Sequence, residues 1–129
     1  MASAQTVASQ WLAVGGGAAI GAWVRWGLGI ALNASIFPIG TLAANLGGGL
    51  LMGMALAYFI NSAADNPLRL LVMTGFLGGL TTFSAFSAEA FNFLYKQQYA
   101  WAAGHILSHV AGSLLTTALG FVLVQYLRN

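Results

Sequence analysis

GGLTTFSAF, residues 78–86, interrupts an otherwise apolar run with two glycines, two threonines and a serine. These residues stand where a membrane helix would carry leucines. Gly78 and Gly79 weaken helix, and the hydroxyls of Thr81 and Thr82 can satisfy the backbone groups that a break sets free. Such a break exposes carbonyls that suit a cation and N–H groups that suit an anion. Phe83 and Phe86 follow on one face. Their ring edges carry partial positive charge and can meet a small anion without a full counter-charge, although two phenylalanines three apart also read as packing residues.

The surroundings make this a membrane helix. The 129 residues are 59% hydrophobic and 5% charged, far below the usual quarter of charged residues in a soluble domain. Four runs reach the ~20 apolar residues that a crossing needs: 11–32, 41–60, 70–95 and 99–127. The connections NASIFPIG, NSAADNPLR and KQQ are short and carry turn residues. The fold expected is an all-α membrane protein, a single domain over residues 1–129 with four transmembrane helices and the third broken mid-membrane. No charged segment precedes Trp11, which argues against a cleaved signal peptide. Cysteine is absent, excluding disulfides and thiolate metal sites, and a net charge of +2 gives no case for nucleic acid. Four helices enclose little, and polar backbone at membrane depth must be covered by protein. An oligomer is therefore expected.

The basic residues are Arg25, Arg69, Lys96 and Arg128. With four crossings Arg69 and Arg128 fall on one side and Arg25 and Lys96 on the other. Orientation follows Lys/Arg excess, so this tie predicts insertion both ways and an antiparallel dimer. The tie breaks if Arg25 is buried in the protein.

The remaining polar residues are few. Asn45 is the strongly polar side chain of the second span and must face a helix or a watery cavity. Behind it Gly49 and Gly53 form a GxxxG spacing whose default meaning is close helix packing. In the fourth span His105, His109, Ser113 and Thr117 recur every four residues, forming one stripe on one face. A lone membrane Ser or Thr usually bonds its own i−4 carbonyl, but four polar residues in register favour a hydrated track. Two histidines four apart also suit a metal, yet no carboxylate shares their helix, so this reading ranks last of the three. Glu89 is an intramembrane carboxylate and a functional suspect, unless it sits at the interface near Lys96.

Together GTLAANLGGG (40–49), GFLGGLTTFSAFSAE (75–89) and GAWVRW (21–26) resemble the Fluc/CrcB fluoride channels over essentially the whole chain. The resemblance implies a fluoride-selective passive channel in the bacterial plasma (inner) membrane. It further implies an antiparallel, dual-topology homodimer with two pores and a structural sodium ion at its centre. The residues it marks for the fluoride pathway are Asn45, Phe83 and Phe86 by motif, the His109–Ser113–Thr117 face, and Arg25 as a vestibule arginine. Thr82, Ser84 and Glu89 complete the expected set. The sodium ligands implied are the carbonyls of Gly78 and Thr81. One position departs from the family pattern: Ala85 stands where TTFSTF has its second threonine, removing a hydroxyl donor. The rival is a small multidrug-type proton-coupled exporter, whose essential glutamate belongs in the first span, where this chain has none. No nucleophile–base set suggests an enzyme.

Overall fold

A computed structural model describes residues 3–129. Its helices are α1 (Ala4–Leu32), α2 (Ile39–Tyr58), α3, α4 (Phe83–Tyr95) and α5 (Tyr99–Arg128). Helix α3 is wound unevenly: Pro67–Arg69 is α-helical, Leu70–Leu77 is π-helical and Gly78–Leu80 returns to α. With α4 it makes the third of four segments long and apolar enough to span a membrane. The chain is an integral, multi-pass membrane protein.

The ends follow from local chemistry. Ser3 caps α1 by accepting the Thr6 N–H. Pro38 has no side-chain acceptor for the start of α2, and Asn33 supplies one: its Oδ1 accepts the Gly40 and Thr41 N–H groups at 2.7 and 3.3 Å. Asn66 caps α3, with Pro67 at the first helical position. Gln97, at φ 58°, reverses the chain between α4 and α5. Arg128 donates to the Ala57 carbonyl at 3.1 Å, satisfying the C-terminal end of α2.

The surface is greasy and the contacts between helices are small. Ile106, Leu107, Val110, Leu114, Leu115 and Leu119 are all exposed on α5, as the faces flanking its polar stripe require. The four tyrosines, Tyr58, Tyr95, Tyr99 and Tyr126, are exposed at helix ends, where an aromatic belt meets the headgroups. The buried apolar cluster is modest: Ala44, Ala55, Phe59, Leu77 and Leu80. Elsewhere helices meet backbone to backbone. A Cβ on Gly79 would lie 2.3 Å from the Ala18 carbonyl oxygen of α1, and one on Gly53 would lie 1.9 Å from the Thr117 oxygen of α5. Small residues therefore do the packing that a hydrophobic driving force cannot do in lipid. Four crossings with three short turns make α2 and α5 run parallel, and they lie together along their length.

The break falls three residues later than the glycines suggested. Gly78 and Gly79 are helical, and the extended residues are Thr81 (φ −82°, ψ 155°) and Thr82 (φ −147°, ψ 124°). Gly79 is there for the close approach to α1. The interruption itself is made by an outside hydrogen-bonding partner.

Candidate functional site

That partner is Asn45. Its Oδ1 accepts the Thr82 N–H at 2.7 Å and its Nδ2 donates to the Thr82 carbonyl at 2.9 Å. The amide thus pairs with the extended residue as a neighbouring strand would. The helical ladder is interrupted as a result, and two of the N–H groups that it loses find new partners. The Thr82 N–H that would close on the Gly78 carbonyl goes to Asn45, and the Ala85 N–H that would close on Thr81 goes to Thr82 Oγ1 at 3.0 Å. Gly78 and Thr81 keep carbonyl oxygens without their helical donors, a donor set that suits a hard cation such as sodium. Between them the Gly79 carbonyl accepts Arg25 Nε at 3.1 Å. Arg25 is therefore half-buried against the break.

The pairing also fixes His109. With Oδ1 committed to Thr82, the second Nδ2 hydrogen of Asn45 points at His109 Nδ1, 2.9 Å away. That nitrogen must accept, so the ring carries its proton on Nε2. Nε2 is buried and has no partner among the described residues. An N–H donor without counter-charge is left in a low-dielectric slot.

Above it lies a second polar group. Thr41 Oγ1 donates to Glu89 Oε1 at 2.6 Å and accepts from Asn33 Nδ2 at 3.2 Å. Glu89 Oε2 stands 3.4 Å from His105 Nε2, and His105 is fully buried. Glu89 is thus engaged by Thr41 and His105 on its inner side, and it also lines, with Lys96, a cleft that opens at the turns. Phe86 is buried, its ring 5.4 Å from that of His105 and 4.9 Å from that of His109. Phe83, 5.3 Å from Phe86, is 78% exposed.

Two clefts flank this column. One, of about 370 Å³, opens at the turns beside Asn33, Glu89, Lys96 and Gln98. The other, of about 310 Å³, lies at the break and is lined by Asn45, Thr81, Thr82, Phe83, Phe86, His109 and Ser113. His105 stands between Glu89 at the first cleft and His109 at the second.

The expected residues thus separate into groups. Asn45, Thr82, Phe83, Phe86, His109 and Ser113 line one cleft. Glu89 lies one step away, joined through His105. Ser84 sits 3.3 Å from Thr82 through their hydroxyls, on the exposed side of α4. Thr117 lies apart, donating to the Ser113 carbonyl at 2.8 Å and packed where a Cβ on Gly49 would meet its hydroxyl at 3.1 Å. Thr41 was missed, although it lies one turn before Asn45 on the same face and the spacing was visible.

Known proteins resemble the chain over most of its length. The family described as CrcB-like protein, Camphor Resistance (CrcB), matches residues 12–121. The protein named fluoride-specific ion channel FluC in Nitrosospira multiformis is 53% identical over 118 residues, 89% of this chain and 92% of that one. Its namesake in Aromatoleum aromaticum is 56% identical over 113 residues, 85% and 86% of the two chains. That in Pseudomonas putida is 52% identical over 120 residues, 90% and 94%.

Proposed function

The chain belongs to the CrcB family, and from that premise we propose that it is a fluoride-selective ion channel, not an enzyme, which lets fluoride leave the cell passively across the bacterial plasma membrane. The observation that carries the route is the Asn45–His109 pair. Fluoride is small and strongly hydrated, so a pathway must replace its water with donors. A column of cations would hold it too firmly to let it go, since conduction needs binding weak enough to leave. The unpartnered His109 Nε2–H, the Ser113 hydroxyl and the Phe86 ring offer neutral or weakly polarised contacts of that kind. Glu89 and Thr41 belong to the approach from the turn side. No finding supports the proton-coupled exporter, and relatives at this level of identity are named channels.

The protein works as an antiparallel homodimer with two pores. Ser84 and Phe83 are exposed at the middle of a spanning segment, beside the first N–H groups of α4. Polar backbone at that depth requires protein cover, and a second copy is the simplest cover. Arg25, tied to Gly79, no longer weighs on either side, and the remaining basic residues stand two against one. That is still a weak bias, compatible with insertion both ways. Sodium is held by the carbonyls of Gly78 and Thr81, with the matching pair of the second copy. It supplies a positive charge to carbonyls that the break leaves without helical donors.

Reconstituted protein should release fluoride, read by electrode, while retaining chloride under the same gradient. Equal release of both anions would contradict a selective pathway. Lysines added to the 61–66 turn should abolish activity by forcing one orientation, and co-expression with an oppositely biased variant should restore it. Full activity of one biased variant alone would contradict the antiparallel pair. Replacing sodium by a bulky organic cation should slow flux and loosen the dimer, and indifference to that exchange would remove the sodium site.

A further inference from the structure

We propose that Glu89, His105 and His109 form a binding site for a transition-metal dication of the zinc type, seated in the narrow part between the two clefts. Glu89 Oε2, both ring nitrogens of His105 and His109 Nε2 are buried without hydrogen-bond partners among the described residues. One ligand atom from each of the three residues lies within 4.8 Å of the others. His105 is completely buried, so its orphan nitrogens have no water to turn to.

The spacing is informative. A separation of 3.4 Å between Glu89 Oε2 and His105 Nε2 is long for a hydrogen bond. It equals the edge of a tetrahedron whose arms are metal–ligand bonds of about 2.0–2.1 Å, which is about 3.4 Å. Two imidazoles and one carboxylate form the three-ligand set that binds zinc and leaves a fourth position open. Imidazole donors favour Zn²⁺, Cu²⁺ or Ni²⁺ over Na⁺, Mg²⁺ or Ca²⁺. The surroundings also orient the carboxylate as a metal's outer shell does. Thr41 holds Oε1 and is itself held by Asn33, which leaves Oε2 to the site. The histidines alone, four apart on α5, lack this third donor in sequence; α4 brings it from another helix. The cleft beside Asn33 and Lys96 provides the way in.

Binding has a consequence for His109. Coordination at Nε2 moves the ring proton to Nδ1, where Asn45 Nδ2 also presents a hydrogen. The Asn45–His109 bond must then open. Metal and fluoride thus compete for the same nitrogen, and an occupied site is a closed pore. The binding stands on the geometry alone, while the closure rests on the fluoride reading.

The test uses untagged full-length protein in detergent, titrated with Co²⁺. One Co²⁺ per chain should bind with the intense visible bands of a four-coordinate ion and be displaced by Zn²⁺. Glu89→Gln and His105→Gln, each checked for intact size-exclusion elution, should weaken binding by at least about 10-fold. Absence of the bands in wild-type protein, or wild-type affinity in both variants, would overturn the site. Zn²⁺ added to wild-type proteoliposomes should slow fluoride efflux over the concentration range of the titration. Full efflux with the site spectroscopically saturated would overturn the closure and leave both the binding and the channel reading standing.

Discussion

Helices α2 and α5 run side by side in matched four-residue steps, and the two ends of their seam behave differently. On the turn side Thr41 and Asn45 of α2 lie level with His105 and His109 of α5, joined directly at Asn45–His109 and through Glu89 at Thr41. On the other side Gly49 and Gly53 face Ser113 and Thr117 with almost no space between backbones. The stripe on α5 is continuous, yet its upper half meets polar side chains and its lower half meets glycine. Periodicity on one helix therefore establishes a face; the neighbouring helix decides whether that face is a pathway or a dry joint. A route that starts at Glu89 cannot continue down the glycine half. The proposed fluoride route would therefore turn at Ser113 toward the cleft at Thr82 and Phe83, where the third span opens.

The sharpest way to break this contrast is to put a side chain into the dry half. Gly53→Leu sets a Cβ against the Thr117 carbonyl and should cost about 3 kcal/mol or more through overpacking. It should read as loss of monodisperse protein on size exclusion. Gly104→Leu on the same helix as the stripe has nothing within 4 Å and should elute normally. Equal behaviour of the two would mean that the seam is not tight.

Asn45→Asp attacks the polar half. The substitution keeps an acceptor for the Thr82 N–H but removes the donors to the Thr82 carbonyl and to His109. Two buried hydrogen bonds at about 1.4 kcal/mol each predict a fall in fluoride flux of about 100-fold. Phe86→Ile should keep the fold to within about 1.5 kcal/mol and lower flux about 10-fold, the equivalent of a ring contact worth about 1.4 kcal/mol. Full flux with normal elution would reduce that ring to a packing role.

The smallest effect is expected in the lower half. Thr117→Val removes a hydroxyl that only back-bonds to Ser113. It should change flux by less than about twofold, with a stability cost below about 1 kcal/mol. A loss as large as that of Asn45→Asp would show that the pathway does run down the whole stripe.

The four spans were legible because hydropathy and turn residues report on lipid and loop directly, and the observed helix ends lie within a few residues of those read from the sequence, apart from an earlier start of α1. The existence of a break was legible from glycines and threonines together. Its position was not, since Asn45 creates it from 37 residues away and Gly79 serves packing instead. The π-winding of Leu70–Leu77 left no sign in composition. Among site residues, Asn45, His109 and Phe86 stood out as polar or aromatic exceptions in apolar runs. Thr41 did not, because a threonine in a membrane helix is usually satisfied by its own backbone. The carboxylate of Glu89 on α4 and the amide of Asn33 at the end of α1 give it a task.

The most direct test of the central claim is ionophore-gated efflux from liposomes loaded with potassium fluoride. On the proposed route the donors are neutral, and a passive channel would release fluoride carrying net charge. Release should stay small until a potassium ionophore dissipates the voltage, and should then be rapid. Rapid release without ionophore, accompanied by proton movement, would contradict a passive channel.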